Sequence, residues 1–246
     1  MVRYQLASDL HIEYLENVSA NDLIKKYADV LVLGGDIGSI YKMSQLENFL
    51  NELHEFEKII YIPGNHEFYM VKGIEPKPFN QLLKELYDLE SRIKNLVILN
   101  CDTYIVDDTQ FIGCTLWSDL GENFFPKFRV RIYGFNNIVY QQQYKKNLQF
   151  LQKKLKHKSD YKNVVVTHYP PIDLTKHMSN NKNNFKYLYS NNLEHMIQRN
   201  RILVWNFGHI HVNHMLSIKN VLLVTNQKGR KKDNVKDYVN DFIITV

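Results

Sequence analysis

The sequence predicts an α/β protein in which a partly antiparallel second sheet packs on a parallel first one. Three observations predict it. Short apolar runs stop abruptly at turn residues, helical stretches separate the early runs, and after residue 96 strands follow one another without a helix between them.

In chain order, residues 2–7 form an apolar run that stops at Ser8-Asp9, and residues 28–33 form another that stops at Gly34-Gly35-Asp36. Residues 58–62 stop at Pro63-Gly64-Asn65-His66. Each reads as a buried strand because it is short, apolar and bounded by turn formers. Between them lie helical candidates at 21–27, at 44–56 and at 79–93, the last with Leu82, Leu83, Leu86 and Leu89 at helical spacing. Ser44 is read as an N-cap, with Glu47 completing a capping box. Residues 97–99, 104–106 and 111–116 are expected as antiparallel additions. A long helix follows at 138–155, then strands at 164–166 and 202–207. Three further runs, at 214–218, 221–225 and 242–246, repeat the antiparallel rhythm. Asn-rich stretches at 180–184 and 190–192 read as loop. No internal repeat or long linker divides the 246 residues, so one domain spanning 1–246 is expected.

The bulk numbers narrow the class. A hydrophobic fraction of 44% with 23% charged residues is ordinary for a globular chain. Two cysteines, Cys101 and Cys114, make neither a disulfide framework nor a zinc knuckle. No run reaches the roughly 18 apolar residues of a membrane span, and the first residues do not read as a signal peptide, so a cytoplasmic location is expected. The net charge of +5 permits an anionic partner. Its densest cluster (Lys228, Arg230, Lys231, Lys232 and Lys236) reads as a solvated tail or loop.

Five strand ends carry residues that ligate metals: Asp9-x-His11, Gly35-Asp36, Gly64-Asn65-His66-Glu67, Thr167-His168 and Gly208-His209-Ile210-His211. Sites in α/β sheets gather beyond the carboxyl ends of the strands, so these distant segments can converge. Carboxylate, imidazole and amide oxygen together suit manganese, iron or zinc rather than thiolate-seeking metals. A carboxylate must sit between two ions about 3.5–4 Å apart, and Asp36, behind two glycines, is best placed to do so. His54, His157, His177, His195 and His214 fall outside the five blocks. His54 and His157 read as solvent-facing, and His214 as structural or supporting.

In order and spacing the five blocks resemble the calcineurin-like metallophosphoesterase superfamily, whose pattern D-x-H, G-D, G-N-H-[D/E], H, G-H-x-H is matched from Asp9 to His211. The Ser-Asp-Leu-His opening and Thr115–Asp119 are most similar to small cytoplasmic bacterial or viral members. The resemblance implies a four-layer α/β/β/α sandwich and a dinuclear centre (Mn, Fe, Zn or a mixed pair) that activates a bridging water for in-line attack on a phosphodiester or phosphomonoester. It implies that Asp9, His11 and His211 hold one ion, that Asn65, His168 and His209 hold the other, and that Asp36 bridges. His66 would act as general acid toward the leaving group, with Glu67 orienting it through a hydrogen bond. Tyr169 stands where many relatives carry a second histidine.

Residues 117–137 read as an active-site loop, with Trp117, Arg129 and Arg131 as candidate substrate contacts and Phe124 and Phe125 as packing residues. The expected partner is a small phosphate ester, with no membrane. A nuclease is the first alternative, permitted by the charge but without a second domain to clamp a strand. A non-catalytic scaffold of the same fold is the second, disfavoured because the ligands and His66 are all present.

Overall fold

A computed structural model describes residues 1–119, 130–174, 191–198 and 201–246. Within them the first sheet is built from β1 (Arg3–Ala7), β2 (Val30–Leu33), β3 (Lys58–Tyr61) and β4 (Leu96–Ile98), all parallel, in that spatial order. The register sets Tyr4 beside Val30, Val30 beside Lys58, and Ile59 beside Leu96. The crossovers carry α1 (Ala20–Leu23), α2 (Met43–Glu52) and α3 (Phe79–Arg92).

The second sheet runs β5 (Asp102–Val106), β6 (Thr109–Cys114), β7 (Lys162–Thr167), β8 (Val204–Asn206), β10 (Val221–Val224) and β9 (Met215–Ile218) in spatial order. Its four central strands are parallel, and β5 and β9 join antiparallel at the two edges. The helix α4 (Asn137–Lys154) lies between β6 and β7 in the chain. The strand β11 (Ile243–Thr245) returns to the first sheet, antiparallel to β1.

Side chains alternate across each strand, and this alternation sorts the core into layers. Tyr4, Leu6, Val30, Val32, Ile60 and Ile62 meet Phe111, Val164, Val166, Val204 and Val224 between the sheets. The opposite faces of the first sheet, with Leu31, Leu33, Ile59 and Tyr61, gather with Leu46, Phe49 and Leu50 of α2 and Leu82, Leu86 and Leu89 of α3. Ile112, Cys114, Val165 and Trp205 of the second sheet gather with Leu151 of α4. The result is the expected four-layer sandwich of two sheets flanked by helices. In α3 the buried positions Phe79, Leu82, Leu86 and Leu89 step by three and four, the spacing of one helix face.

Several expectations change. The run expected at 97–99 continues the parallel sheet as β4, because α3 acts as one more crossover, the 111–116 run pairs parallel with β7 across α4, and the 221–225 run pairs parallel with β8 as well as antiparallel with β9. The last strand joins the first sheet rather than the second. Ser44 does not cap α2. A 3-10 turn at Ile40–Lys42 runs straight into the helix, Lys42 holds the cap position, and Glu47 instead pairs with Arg92 at 2.7 Å. Among the described residues no helix is long and apolar enough to cross a membrane.

Candidate metal centre

The ends of β1, β2, β3, β7 and β8 bring the five blocks to one place. Five of the residues they present there are non-glycine yet left-handed: Asp9, His11, Asp36, His209 and His211 have φ between 51° and 74°. Such conformations are uncommon for L-residues, and they persist only where the surroundings hold them. Here the surroundings are close backbone approaches. A Cβ on Gly35 would meet His168 Nδ1 at 2.5 Å, and one on Gly208 would collide with Ser8 Oγ and Asp9 Oδ2. Only glycine admits the adjoining strand ends at these two points.

Ligand atoms of Asp9, His11, Asp36 and His211 all lie within 4.8 Å of one another, and so do those of Asp36, His168 and His209. Asp36 belongs to both groups. Its Oδ2 lies 3.8 Å from His11 Nε2 and its Oδ1 3.4 Å from His168 Nε2. Asn65 Oδ1 is 3.2 Å from His168 Nε2, and His211 Nε2 is 3.3 Å from Asp9 Oδ1. The sequence-predicted ligands therefore converge as one cluster.

Behind three of the four imidazoles stands a fixed oxygen. His11 Nδ1 donates to Glu13 Oε1 at 3.1 Å, His211 Nδ1 to Asp233 Oδ2 at 2.6 Å, and His168 Nδ1 to the Gly34 carbonyl at 3.0 Å. With those protons on Nδ1, the opposite nitrogens point lone pairs at each other: His11 Nε2 and His211 Nε2 are 3.0 Å apart. His209 uses its other nitrogen, with Nδ1 3.2 Å from His168 Nε2 and its ring stacked on Tyr169 at 3.9 Å. This donor set fits a pair of cations. Ligands about 2.1 Å from a shared ion and at right angles to each other lie about 3.0 Å apart, the spacing seen here.

Electrostatics agree. Burial opposes charge on Asp36, but His168, His66 and His11 around it hold its carboxyl well below the usual range. Burial likewise opposes charge on His168, yet Asp36, Asp9 and Glu67 raise it to about 9. His209 is pushed well below the ordinary range by burial and by the neighbouring His168. The protein thus builds a buried negative field in which a cation is favoured.

Several side chains differ from expectation. Glu67 does not touch His66. The 3-10 turn at His66–Phe68 rotates successive side chains by about 120°, and it aims Glu67 into the interior. There the carboxylate accepts from the amides of Asp36, Ile37 and Gly64 and from the Tyr61 hydroxyl at 2.6 Å, tying the loop after β2 to the loop after β3. Burial and the Asp36 charge push it up to about 8, against these four donors, and the donors favour its ionised form. The oxygen at His66 Nδ1 is instead Glu13 Oε1, at 3.1 Å.

Trp117 is 1% exposed and packs among Phe79, Phe135, Tyr140 and Tyr169, so it is core and not a substrate contact. Arg131 lines a cavity beside His66. Arg129, Phe124, Phe125, His177 and the 180–184 stretch lie outside the described residues, as do residues 120–129 of the expected loop. His54 and His157 are exposed, and His214 is partly buried with its backbone tied to Thr225.

The basic segment is only partly solvated. Lys231, Lys232 and Lys236 are exposed, but Lys228 and Gly229 donate backbone bonds to Ser8 and Asp9, and Arg230 pairs with Asp233 at 2.9 Å. Glu13 and Asp233 are the functional neighbours that sequence reasoning missed. Glu13 had a signal, since it stands two residues beyond His11. Asp233 had none, being a lone acid in a basic run.

A parallel-sheet sandwich with a histidine–carboxylate cluster at its strand ends defines a metal-binding phosphoesterase architecture, and comparison with known proteins agrees. The calcineurin-like phosphoesterase family matches residues 4–213, and the chain belongs to that family. A protein of Acanthamoeba polyphaga mimivirus, L509, is 25% identical over 272 residues, covering 97% of this chain and 95% of the viral one. Two solved structures share the fold. Phosphopantetheinyl hydrolase (PptH) from Mycobacterium tuberculosis has a TM-score of 0.69 at 16% identity, over 94% of this chain and 92% of its own. A dimetal phosphatase from Danio rerio has a TM-score of 0.52 at 11% identity, over 91% and 86%.

Proposed function

We propose that the chain hydrolyses phosphate esters at a two-metal centre. Asp9, His11 and His211 hold one divalent ion, Asn65, His168 and His209 the other, and Asp36 stands between them. One observation carries this reading. Imidazole nitrogens face each other at 3.0 and 3.2 Å, and of the four rings His11, His211 and His168 have their remaining nitrogen tied to an oxygen. Nitrogens so opposed share a proton when no ion is bound and can share a cation once that proton leaves.

Manganese, iron and zinc all suit this donor set, and when bound such ions supply Lewis acidity toward phosphate oxygens and lower the pKa of water. The chain's own residues do the rest. Asp9 is fixed by the Ser8 hydroxyl at 2.5 Å and by the His209 amide, and Asp36 by the His66 amide at 2.7 Å. Glu13 holds His66 through Nδ1, which leaves Nε2 to carry a proton to the departing oxygen.

The test is an assay of protein stripped of metal and reloaded with manganese, on bis-p-nitrophenyl phosphate and p-nitrophenyl phosphate, with metal content measured alongside. About two ions per chain are expected, together with hydrolysis, and Asp36→Asn should abolish both. Preference for the diester makes the chain a phosphodiesterase, and preference for the monoester makes it a phosphatase. A protein that binds no metal and cleaves neither ester refutes the proposal. His66→Gln should retain both ions while slowing turnover by roughly 10²–10⁴, most for poor leaving groups. Loss of an ion in that variant would make His66 a ligand.

A further inference from the structure

Beside His66 opens a cavity of about 190 Å³, whose lining includes Glu13, Tyr14, Ser39, Lys42, Tyr69 and Arg131. Pockets for whole drug-sized ligands begin near about 300 Å³, so this one takes a fragment of a substrate. Its position next to the proposed acid makes that fragment the leaving group.

Two atoms in the lining say what chemistry it asks for. Ser39 is 2% exposed and Glu13 7%, and neither Ser39 Oγ nor Glu13 Oε2 has a hydrogen-bond partner among the described residues. Buried polar atoms are nearly always paired, so two unpaired ones on residues that line one cavity point to a ligand or water that completes them once it binds. Glu13 Oε1 already accepts from both His11 and His66, and Oε2 is left without a donor. It calls for an O–H or N–H donor, and the Ser39 hydroxyl of the same lining can accept or donate.

Charge adds the second requirement. Lys42, Lys72 and Arg131 line the cavity against the single carboxylate of Glu13. Lys42 Nζ is anchored on the Glu13 carbonyl at 2.6 Å, whereas Lys72 and Arg131 are exposed at the mouth. An anion on the outer part of the leaving group is favoured there. Tyr14 and Tyr69 supply flat walls on either side of the His66 ring, with centroids 6.0 and 4.5 Å from it.

We infer that this cavity is a leaving-group subsite for a hydroxylated, anionic alcohol, a phosphorylated polyol or sugar, esterified to the phosphate that the metal centre cleaves. The inference rests on the phosphoesterase reading above, and its test separates the two.

Three esters differ by one group each: propyl phosphate, propane-1,3-diol bisphosphate and glycerol 1,3-bisphosphate. Their kcat/KM values are measured by phosphate release from manganese-loaded protein. Affinities of their non-hydrolysable phosphonate analogues are measured by equilibrium dialysis. Each added group should raise both quantities about tenfold, the scale of one charge-assisted hydrogen bond. Lys72→Ala should shrink the step given by the second phosphate, and Ser39→Ala the step given by the hydroxyl. Equal affinities across the three analogues, or steps that both variants leave intact, overturn the subsite. If the phosphonates bind in the expected order while no ester is hydrolysed and bis-p-nitrophenyl phosphate is not cleaved either, the subsite stands and the phosphoesterase reading falls.

Discussion

The two halves of the metal cluster are supported differently. On the Asp9 side the histidines lean on carboxylates, with His11 on Glu13 and His211 on Asp233. On the Asn65 side His168 leans on the neutral Gly34 carbonyl, and His209 is positioned by stacking on Tyr169. A carboxylate behind an imidazole raises its basicity and adds negative charge to the half-site, and a carbonyl or ring face does so weakly or not at all. On the proposed two-metal reading, the half whose histidines rest on Glu13 and Asp233 would hold its ion more firmly than the half in which His168 rests on a carbonyl. Asymmetry of this kind arises from the supporting residues rather than from the ligands.

The comparison can be broken in graded steps. The largest effect is expected from Asp36→Asn, which removes the carboxylate common to both halves and should reduce turnover by about 10³ or more, on the scale of losing a preorganised charge-stabilising group. Metal analysis and steady-state kinetics on the same preparation check it. Asp233→Asn should weaken only the first half, by about 10–100-fold in metal affinity. Competition with a chromophoric chelator reads this, and equal weakening of both ions would dissolve the asymmetry. Acidification is the next step. His168 is raised to about 9 and His211 is raised as well, so each binds a proton below its own pKa that must leave before a metal enters. Metal affinity of the half that contains His168 should fall as pH drops below about 9, by up to about tenfold per unit, and that of the His211 half should fall on acidification as well. A pH-independent affinity between 7 and 9 contradicts this. The smallest effect belongs to Tyr169→Leu, which removes the ring under His209. A stacking contact of about 0.5–1.5 kcal/mol makes this a loss of roughly 2–10-fold, confined to the second ion.

The same contrast explains what was legible in the sequence. Each ligand follows an apolar run directly, so Asp9, His11, Asp36, Asn65, His168, His209 and His211 could be read from strand ends and turn residues alone. The first three strands were legible for a related reason, because residues 2–7, 28–33 and 58–62 are short apolar runs bounded by turn residues. Supporting residues are chosen by the fold. Asp233 reaches His211 only because Lys228 and Gly229 are bonded to the backbone of Ser8 and Asp9. Glu67 sits next to His66 in the chain but points inward, since adjacency within a 3-10 turn separates side chains. Strand direction was hidden too. Apolar periodicity is the same for parallel and antiparallel partners, so β4 and β6 were legible as strands but not in their pairing.

The distance along the chain between Asp9 and His209, 200 residues, has a consequence for biogenesis. A ribosome adding about 5–20 residues per second takes about 10–40 s to pass from the first of these residues to the second. Throughout that interval the nascent chain displays Asp9, His11 and Asp36 without His209 and His211, and β1 lacks the strand β11 that pairs with it. The proposed centre is thus completed only once the segment that carries His209 and His211 has been made, and capture of metal by the full donor set would follow that step.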